Sequence, residues 1–255
     1  QHQAALFGLT SNSIIQCGVL EPALQEITRV AAATLGVGRS SIWLLREDHS
    51  AILCKSLYDV ATNAHSSGME LLAAQFPRYF REVLTERVID ASDARTDPRT
   101  SEFTDTYLTP LGISAMLDIP IRFKGKLVGV LCNEHVGAPR SWMLEEQQFS
   151  YAMASLVSLA LEAVERLNAE GALRKSEGRT RLIIDTALSS VISMDEQGRI
   201  IGWNTQAEQT FGWTRQEALG RVLADTIVPP SQGEAHQRGL SQFIKTGEGR
   251  MLNKV

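Results

Sequence analysis

Ser114-Ala-Met-Leu-Asp-Ile-Pro-Ile-Arg-Phe-Lys-Gly-Lys-Leu-Val-Gly-Val-Leu-Cys-Asn-Glu134 is the stretch on which the architecture of this chain turns. Two β-type runs, Ser114 to Arg122 and Leu127 to Glu134, flank Lys124-Gly125-Lys126. Glycine between two such runs predicts a hairpin, so an antiparallel sheet forms here. Asp118 breaks an otherwise apolar run. A buried carboxylate needs a partner, and Arg122 or a loop arginine could supply one.

Upstream, Ala4 to Ile15 and Pro22 to Leu35 read as amphipathic helices, the second opened by Pro22 and stopped by Gly36. Ser41 to Leu45 and Ala51 to Leu57 read as a hairpin around Glu47-Asp48-His49-Ser50. Pro77 to Leu84 has Tyr79, Phe80, Val83 and Leu84 at helical spacing. Val88-Ile89 is a short strand, and Asp90 to Thr106 a polar loop with a short helix around Phe103 and Tyr107.

Downstream, Trp142 to Leu182 contains no proline and is rich in Ala, Leu, Glu, Gln and Arg, which predicts one long helix. Met153, Leu156, Ala160, Ala163 and Leu167 step by three and four, the seam of a two-helix coiled coil, and the seam falters at Glu170 and Arg174. This predicts a homodimer through residues 142–175. A terminal core helix with a charged tail is the competing reading. Beyond it, Val191 to Met194 and Arg199 to Trp203 pair across a turn at Gly198. A short helix runs to Phe211, and Thr214 to Glu217 is a capping box. Asp225 to Pro230 is a loop, and a helix then reaches Thr246, ended by Gly247.

The chain has 255 residues, long enough for two domains with cores. Hydrophobic residues make up 44% and charged residues 21%, the balance of a soluble globular protein. A net charge of −4 with no basic face argues against a nucleic-acid partner. No apolar run is long enough to span a bilayer, and Gln-His-Gln-Ala-Ala does not begin a signal peptide. Cys17, Cys54 and Cys132 are scattered and odd in number, which suits the reducing cytoplasm. The absence of an initiator Met suggests a fragment.

The residues Leu111 to Ile121, Gly125-Lys-Leu-Val-Gly-Val-Leu131 and Glu134-His135 resemble the GAF domains of bacterial sensor proteins. The resemblance covers nearly all of residues 4–165 and implies an α+β fold, an antiparallel sheet with flanking helices, for a domain at 1–165. It also implies a small-ligand pocket. By that likeness Met116 and Asp118 point into it, with Phe103 and Tyr107 on the covering segment, Phe76, Tyr79 and Phe80 on the opposing helix, and Cys132 on the last strand. The competing reading is that these aromatics fill a core. Bilin-binding relatives use an Asp-Ile-Pro segment and two histidines, which match Gln75-Phe76-Pro77, Thr104 and Glu134 here, so no bilin is expected. The cyclic-nucleotide pattern is absent. Cys132 and His135 do not make a metal site. No catalytic constellation is assembled. A likeness to free-methionine sulfoxide reductases would need a cysteine cluster that Cys132 alone does not supply.

Asp195-x-x-Gly198-x-Ile200-x-x-x-Asn204-x-x-Ala207-Glu208-x-x-Phe211-Gly212-Trp213-x-x-x-Glu217-x-x-Gly220-Arg221 resembles the PAS domain. That implies a PAS domain at 176–255, lacking its C-terminal strands and joined to the first by a signalling helix at 142–182. His236 shares an apolar stripe with Leu240, Phe243 and Ile244. The segment is similar to the helix carrying the haem-ligating His of oxygen-sensing haem PAS domains, which makes a haem sensor the alternative to a cofactor-free one. The likeness as a whole implies a sensory region that binds a small ligand and signals to a C-terminal histidine kinase or cyclic-di-GMP enzyme.

Overall fold

A computed structural model describes residues 2–10, 12–85 and 87–246. The chain divides into two compact units, residues 1–170 and 171–255.

The first unit is built on an antiparallel sheet. Its strands are β1 (Arg39–Leu45), β2 (Ala51–Asp59), β3 (Ala64–Ser66), β4 (Glu70–Leu72), β5 (Ile89–Ala91), β6 (Ile113–Phe123) and β7 (Lys126–Val136). They lie in the order β3-β2-β1-β7-β6-β5, and β4 also pairs with β2. The quoted stretch is thus the central hairpin β6–β7, which pairs Asp118 with Cys132 and Met116 with Glu134. Gly129 on β7 is needed for close approach, since a Cβ there would lie 2.1 Å from the carbonyl oxygen of Trp43 on β1.

Both faces of the central strands are buried, and side chains alternate between two cores. Ala115, Leu117, Ile119 and Ile121 of β6 join one core, with α3 (Leu20–Leu35) and the first half of α5 (Leu144–Asp185). Met116 of β6 joins the other, with α4 (Pro77–Leu84) and the helical turns Ser101–Phe103 and Thr104–Leu108.

Four expectations are corrected. The first helix is two, α1 (His2–Thr10) and α2 (Ser13–Gln16), because the Asn12 side chain caps the second by accepting from the Ile14 N–H. Strands β3 and β4 were missed; at three residues each they are too short for a periodic signal. The coiled-coil seam is spent within the chain, for Met153, Leu156, Ala160 and Ala163 are all buried, the first three in the first unit's own core. Only Leu167 of that seam is exposed. Finally, the loop expected at Asp225 to Pro230 is confined to residues 227–229, between a helix and a 3₁₀ turn.

The second unit holds the end of α5, then β8 (Ile192–Met194) and β9 (Ile200–Trp203), an antiparallel pair. Gly198 turns between them at φ 75°, a conformation that suits glycine. Helices α6 (Thr205–Phe211), α7 (Arg215–Ala218), α8 (Leu223–Thr226) and α9 (Gly233–Thr246) follow, with a 3₁₀ turn at Pro230–Gln232. Helix α8 and this turn flank residues 227–229, the part of the expected loop that stays irregular; such single turns carry no 3.6-residue pattern. The Thr214–Glu217 capping box is present. The expected stop at Gly247 lies outside the described residues.

Asn204 organises this unit. It is fully buried and its amide donates to the carbonyl oxygens of Ile184 (2.9 Å) and Ser189 (3.0 Å). Its side-chain oxygen accepts from the N–H groups of Val191 and Ala207, both at 2.9 Å. One amide therefore ties the end of α5 to the strands and to the start of α6. Beside it Ile200, Trp203, Ala207 and Ala218 form a small core.

Candidate ligand-binding site

Seven of the eight residues expected in the first unit's pocket lie in or against one core cluster, and Asp118 completes the set at its floor. Helix α4 begins at Pro77, which sits well in a first turn, and turns Tyr79, Phe80 and Val83 inward. Its free N–H groups on Arg78 and Tyr79 donate to the Glu102 carboxylate at 2.9 and 3.0 Å. Helix α4 and the 101–108 segment are thereby pinned together. Phe76 stacks on Phe103 at 4.4 Å between centroids, and Tyr79 meets Phe103 edge-on at 4.9 Å.

Beneath these rings is a polar floor. The Tyr79 hydroxyl donates to Asp118 Oδ2 at 2.8 Å and lies 3.7 Å from Cys132 Sγ. Asp118 is 1% exposed, and its Oδ1 has no hydrogen-bond partner among the described residues. The partner expected from Arg122 or a loop arginine is instead a phenol. An arginine head is hard to desolvate, whereas Tyr79 reaches the strand from an already buried helix. Burial raises the Asp118 carboxyl to about 7, against the lowering effect of the Tyr79 hydrogen bond. Burial likewise pushes the Cys132 thiol and the Tyr79 phenol up. Cys132 is thus a protonated, inert thiol at neutral pH.

A second polar group was missed as a pocket residue. The Tyr107 hydroxyl donates to both oxygens of Glu134, at 2.8 and 3.1 Å. Arg39 Nε lies 3.4 Å from Glu134 and 3.7 Å from Asp59, with its guanidinium 5.5 Å from the Tyr107 ring centre. Glu134 occupies the position matched to a bilin-relative histidine, and that match was the one signal in the sequence that could have placed it in the site. Trp43, Ile52 and Leu71 were also missed, since nothing in a strand pattern marks which face carries a pocket. With Tyr79, Phe103, Tyr107, Met116, Cys132 and Glu134 they line a cavity of about 20 Å³. That is room for about one water molecule. The aromatic side chains fill the space that a ligand would occupy.

A GAF domain model matches residues 19–161. The chain belongs to the GAF domain family. A PAS fold model matches residues 178–254, so the GAF domain is followed by a PAS fold. Both are sensory modules. An uncharacterized protein of Azorhizobium caulinodans is 29% identical over 149 residues, covering 58% of this chain and 20% of that one. The sensor protein FixL of Bradyrhizobium diazoefficiens is 30% identical over 97 residues, covering 38% and 19%. The chain thus spans about a fifth of the length of these relatives. Among solved structures, the phycoerythrobilin-bound GAF domain of a cyanobacterial phytochrome aligns with a TM-score of 0.54 at 19% identity, covering 66% of this chain and 98% of that one. The GAF domain of a Coxiella burnetii phosphoenolpyruvate-protein phosphotransferase aligns at 0.52 and 19%, covering 67% and 96%. At such identities the likeness is one of fold.

In the PAS fold, His236 on α9 is half-buried, and its Nδ1 is buried with no partner among the described residues. It lines a groove of about 220 Å³ with Gly198, Val222, Ala224, Gln237, Leu240 and Ile244, among others. Phe243 and Ile244, expected on its apolar stripe, are 43% and 46% exposed. No cluster of His, Cys, Asp or Glu able to hold a metal occurs among the described residues, and no described helix is long and apolar enough to cross a membrane.

Proposed function

We propose that this chain is the cytoplasmic sensory region of a bacterial signalling protein. A small molecule binds the GAF pocket, and the change passes along α5 into the PAS fold and on to an effector such as a histidine kinase or diguanylate cyclase. The observation that carries this reading is the continuity of α5. Its first half supplies Phe149, Met153, Val157 and Ala160 to the GAF core, and its last turn gives the Ile184 carbonyl to Asn204. Residues 165–184 between these anchors are all exposed. A helix gripped at both ends and bare between them is suited to transmit a shift. A ligand would act by its differential affinity for two arrangements of the pocket cover.

Hydrogen exchange across the whole chain tests the coupling. Tyr79→Ala should unlock the cover and speed exchange of α4 and residues 101–108. The reading requires that amides of residues 180–207 also change. Changes confined to residues 39–136 would show that the pocket does not speak to the PAS fold.

A further inference from the structure

Asp118 is buried, one of its oxygens lacks a donor, and its two side-chain neighbours, Tyr79 and Cys132, line the cavity. Taking the GAF pocket as a ligand site, as above, we propose that it recognises a small, flat aromatic or heteroaromatic monocation whose N–H donors replace the Tyr79 hydroxyl on the Asp118 carboxylate. Tyr79 is then a tethered competitor, a ring with one donor that holds the site closed until the ligand takes its place.

Charge points to a cation. Glu134, the other carboxylate of the pocket, is balanced by Arg39 and by the Tyr107 hydroxyl. Asp118 has the Tyr79 hydroxyl but no counterpart to Arg39 within ion-pair distance among the described residues. Arg99, whose charge favours the ionised Asp118, is itself held by Asp97 at 2.7 Å and Asp90 at 3.2 Å. With Asp118 ionised, the floor keeps one unbalanced negative charge. A monocation complements it, and an anion meets two carboxylates.

Shape points to a flat ring. Trp43, Phe103 and Tyr107 offer aromatic faces and Met116 a pliable wall, surfaces that stack on planar groups and attract cations. Amidine or amine N–H groups on that ring would satisfy the orphan Oδ1 as well as Oδ2. Space then requires exchange rather than addition. With room for one water, a ring enters only as the Tyr79 ring leaves. The route out is a motion of α4 together with the 101–108 segment, which Glu102 and the Phe76–Phe103 stack join into one cover.

The test uses the full chain with three probes of one size, benzamidine, benzoate and benzyl alcohol, read by calorimetry at pH 8. The proteins are wild type, Tyr79→Phe, Tyr79→Ala and Asp118→Asn, each checked for native circular dichroism. Benzamidine should bind better than benzoate to every protein that keeps Asp118. Tyr79→Phe keeps the ring but removes the competing hydroxyl, and should tighten benzamidine by about tenfold, the worth of one hydrogen bond to a charged group. Asp118→Asn should abolish the preference for benzamidine over benzyl alcohol. Equal or better binding of benzoate would overturn the charge assignment and leave the GAF pocket standing as a ligand site. Unchanged benzamidine affinity in Tyr79→Phe would overturn the competitor role. If folded Tyr79→Phe and Tyr79→Ala bind none of the three probes, the pocket is a core, and the ligand-sensing reading falls with this one.

Discussion

At the scale of single residues, Asp118 makes stability depend on pH in an uncommon direction. Its carboxyl titrates near 7 in the folded chain, against an ordinary value near 3.8. The folded state therefore holds a proton that the unfolded state has lost across this interval, and stability falls as pH rises through it. Asp118→Asn, which keeps the shape and removes the charge, should stabilise the chain at pH 8 by up to the order of 4 kcal/mol and have little effect at pH 4. Urea unfolding at the two pH values measures this. Equal effects at both would mean that Asp118 is not the titrating group. Those that face it are Tyr79 from α4, Cys132 and Glu134 from β7, and Arg99 from the loop after β5. Residue-level chemistry was partly visible in the sequence. A carboxylate amid Met116, Leu117, Ile119 and Ile121 announced a buried polar site, but not which hydroxyl would meet it. Tyr79 lies 39 positions away, and only the packing of α4 brings the two together.

At the scale of elements, α5 shows how one pattern can serve two readings. A three-four stripe of apolar residues fits a partner helix and a domain core equally well, since both bury one face. Here the core takes it. Met153→Ala should therefore lower the stability of the chain by roughly 2–5 kcal/mol, the cost of a buried cavity. That loss should not depend on protein concentration. A midpoint that rises with concentration in wild type but not in the variant would restore the dimer seam. Asn204 is the corresponding control in the second unit. Asn204→Ala leaves the buried N–H and carbonyl groups it served unpaired, and should cost about 1–3 kcal/mol or more. Hydrogen exchange would show this as faster exchange confined to residues 180–211. The sequence marked Asn204 as part of a recurring spacing. Its four hydrogen bonds follow from a backbone path that spacing alone does not draw.

At the scale of the whole molecule, the two units differ in how much apolar surface they enclose. The GAF domain has a core on each face of its sheet, whereas the PAS fold rests on Ile200, Trp203, Ala207 and Ala218. Little buried area means low local stability. Heating should give two transitions, with the PAS fold melting first and Trp43 keeping its native environment until the second. A single transition, coincident by near-ultraviolet dichroism and calorimetry, would show that the two melt as one. Chromophores test the same contrast. Co-expression with a biliverdin source should give colourless protein, since Glu134 is engaged by Arg39 and Tyr107 and the cavity holds about one water. Titration with haem should give no Soret band at one haem per chain. If one appears and vanishes in His236→Ala, the groove at Gly198 rearranges to admit it.

The bare stretch of α5 has a consequence for how chains of this kind can vary in length. Residues 165–184 are exposed, with Leu167 against Gly18 near one end, Thr180, Arg181 and Ile184 lining a groove with Val191 and Trp203 near the other, and surface ion pairs such as Lys124–Glu165 and Arg166–Glu170. Angle is what an insertion changes. One added residue turns everything beyond it by about 100°, while seven added residues fall only about 20° short of two full turns. Related sensors should therefore differ across this segment in steps of seven far more often than in steps of one or two. Chimaeras that exchange one sensor for another should work when their joints keep that phase and fail when they do not.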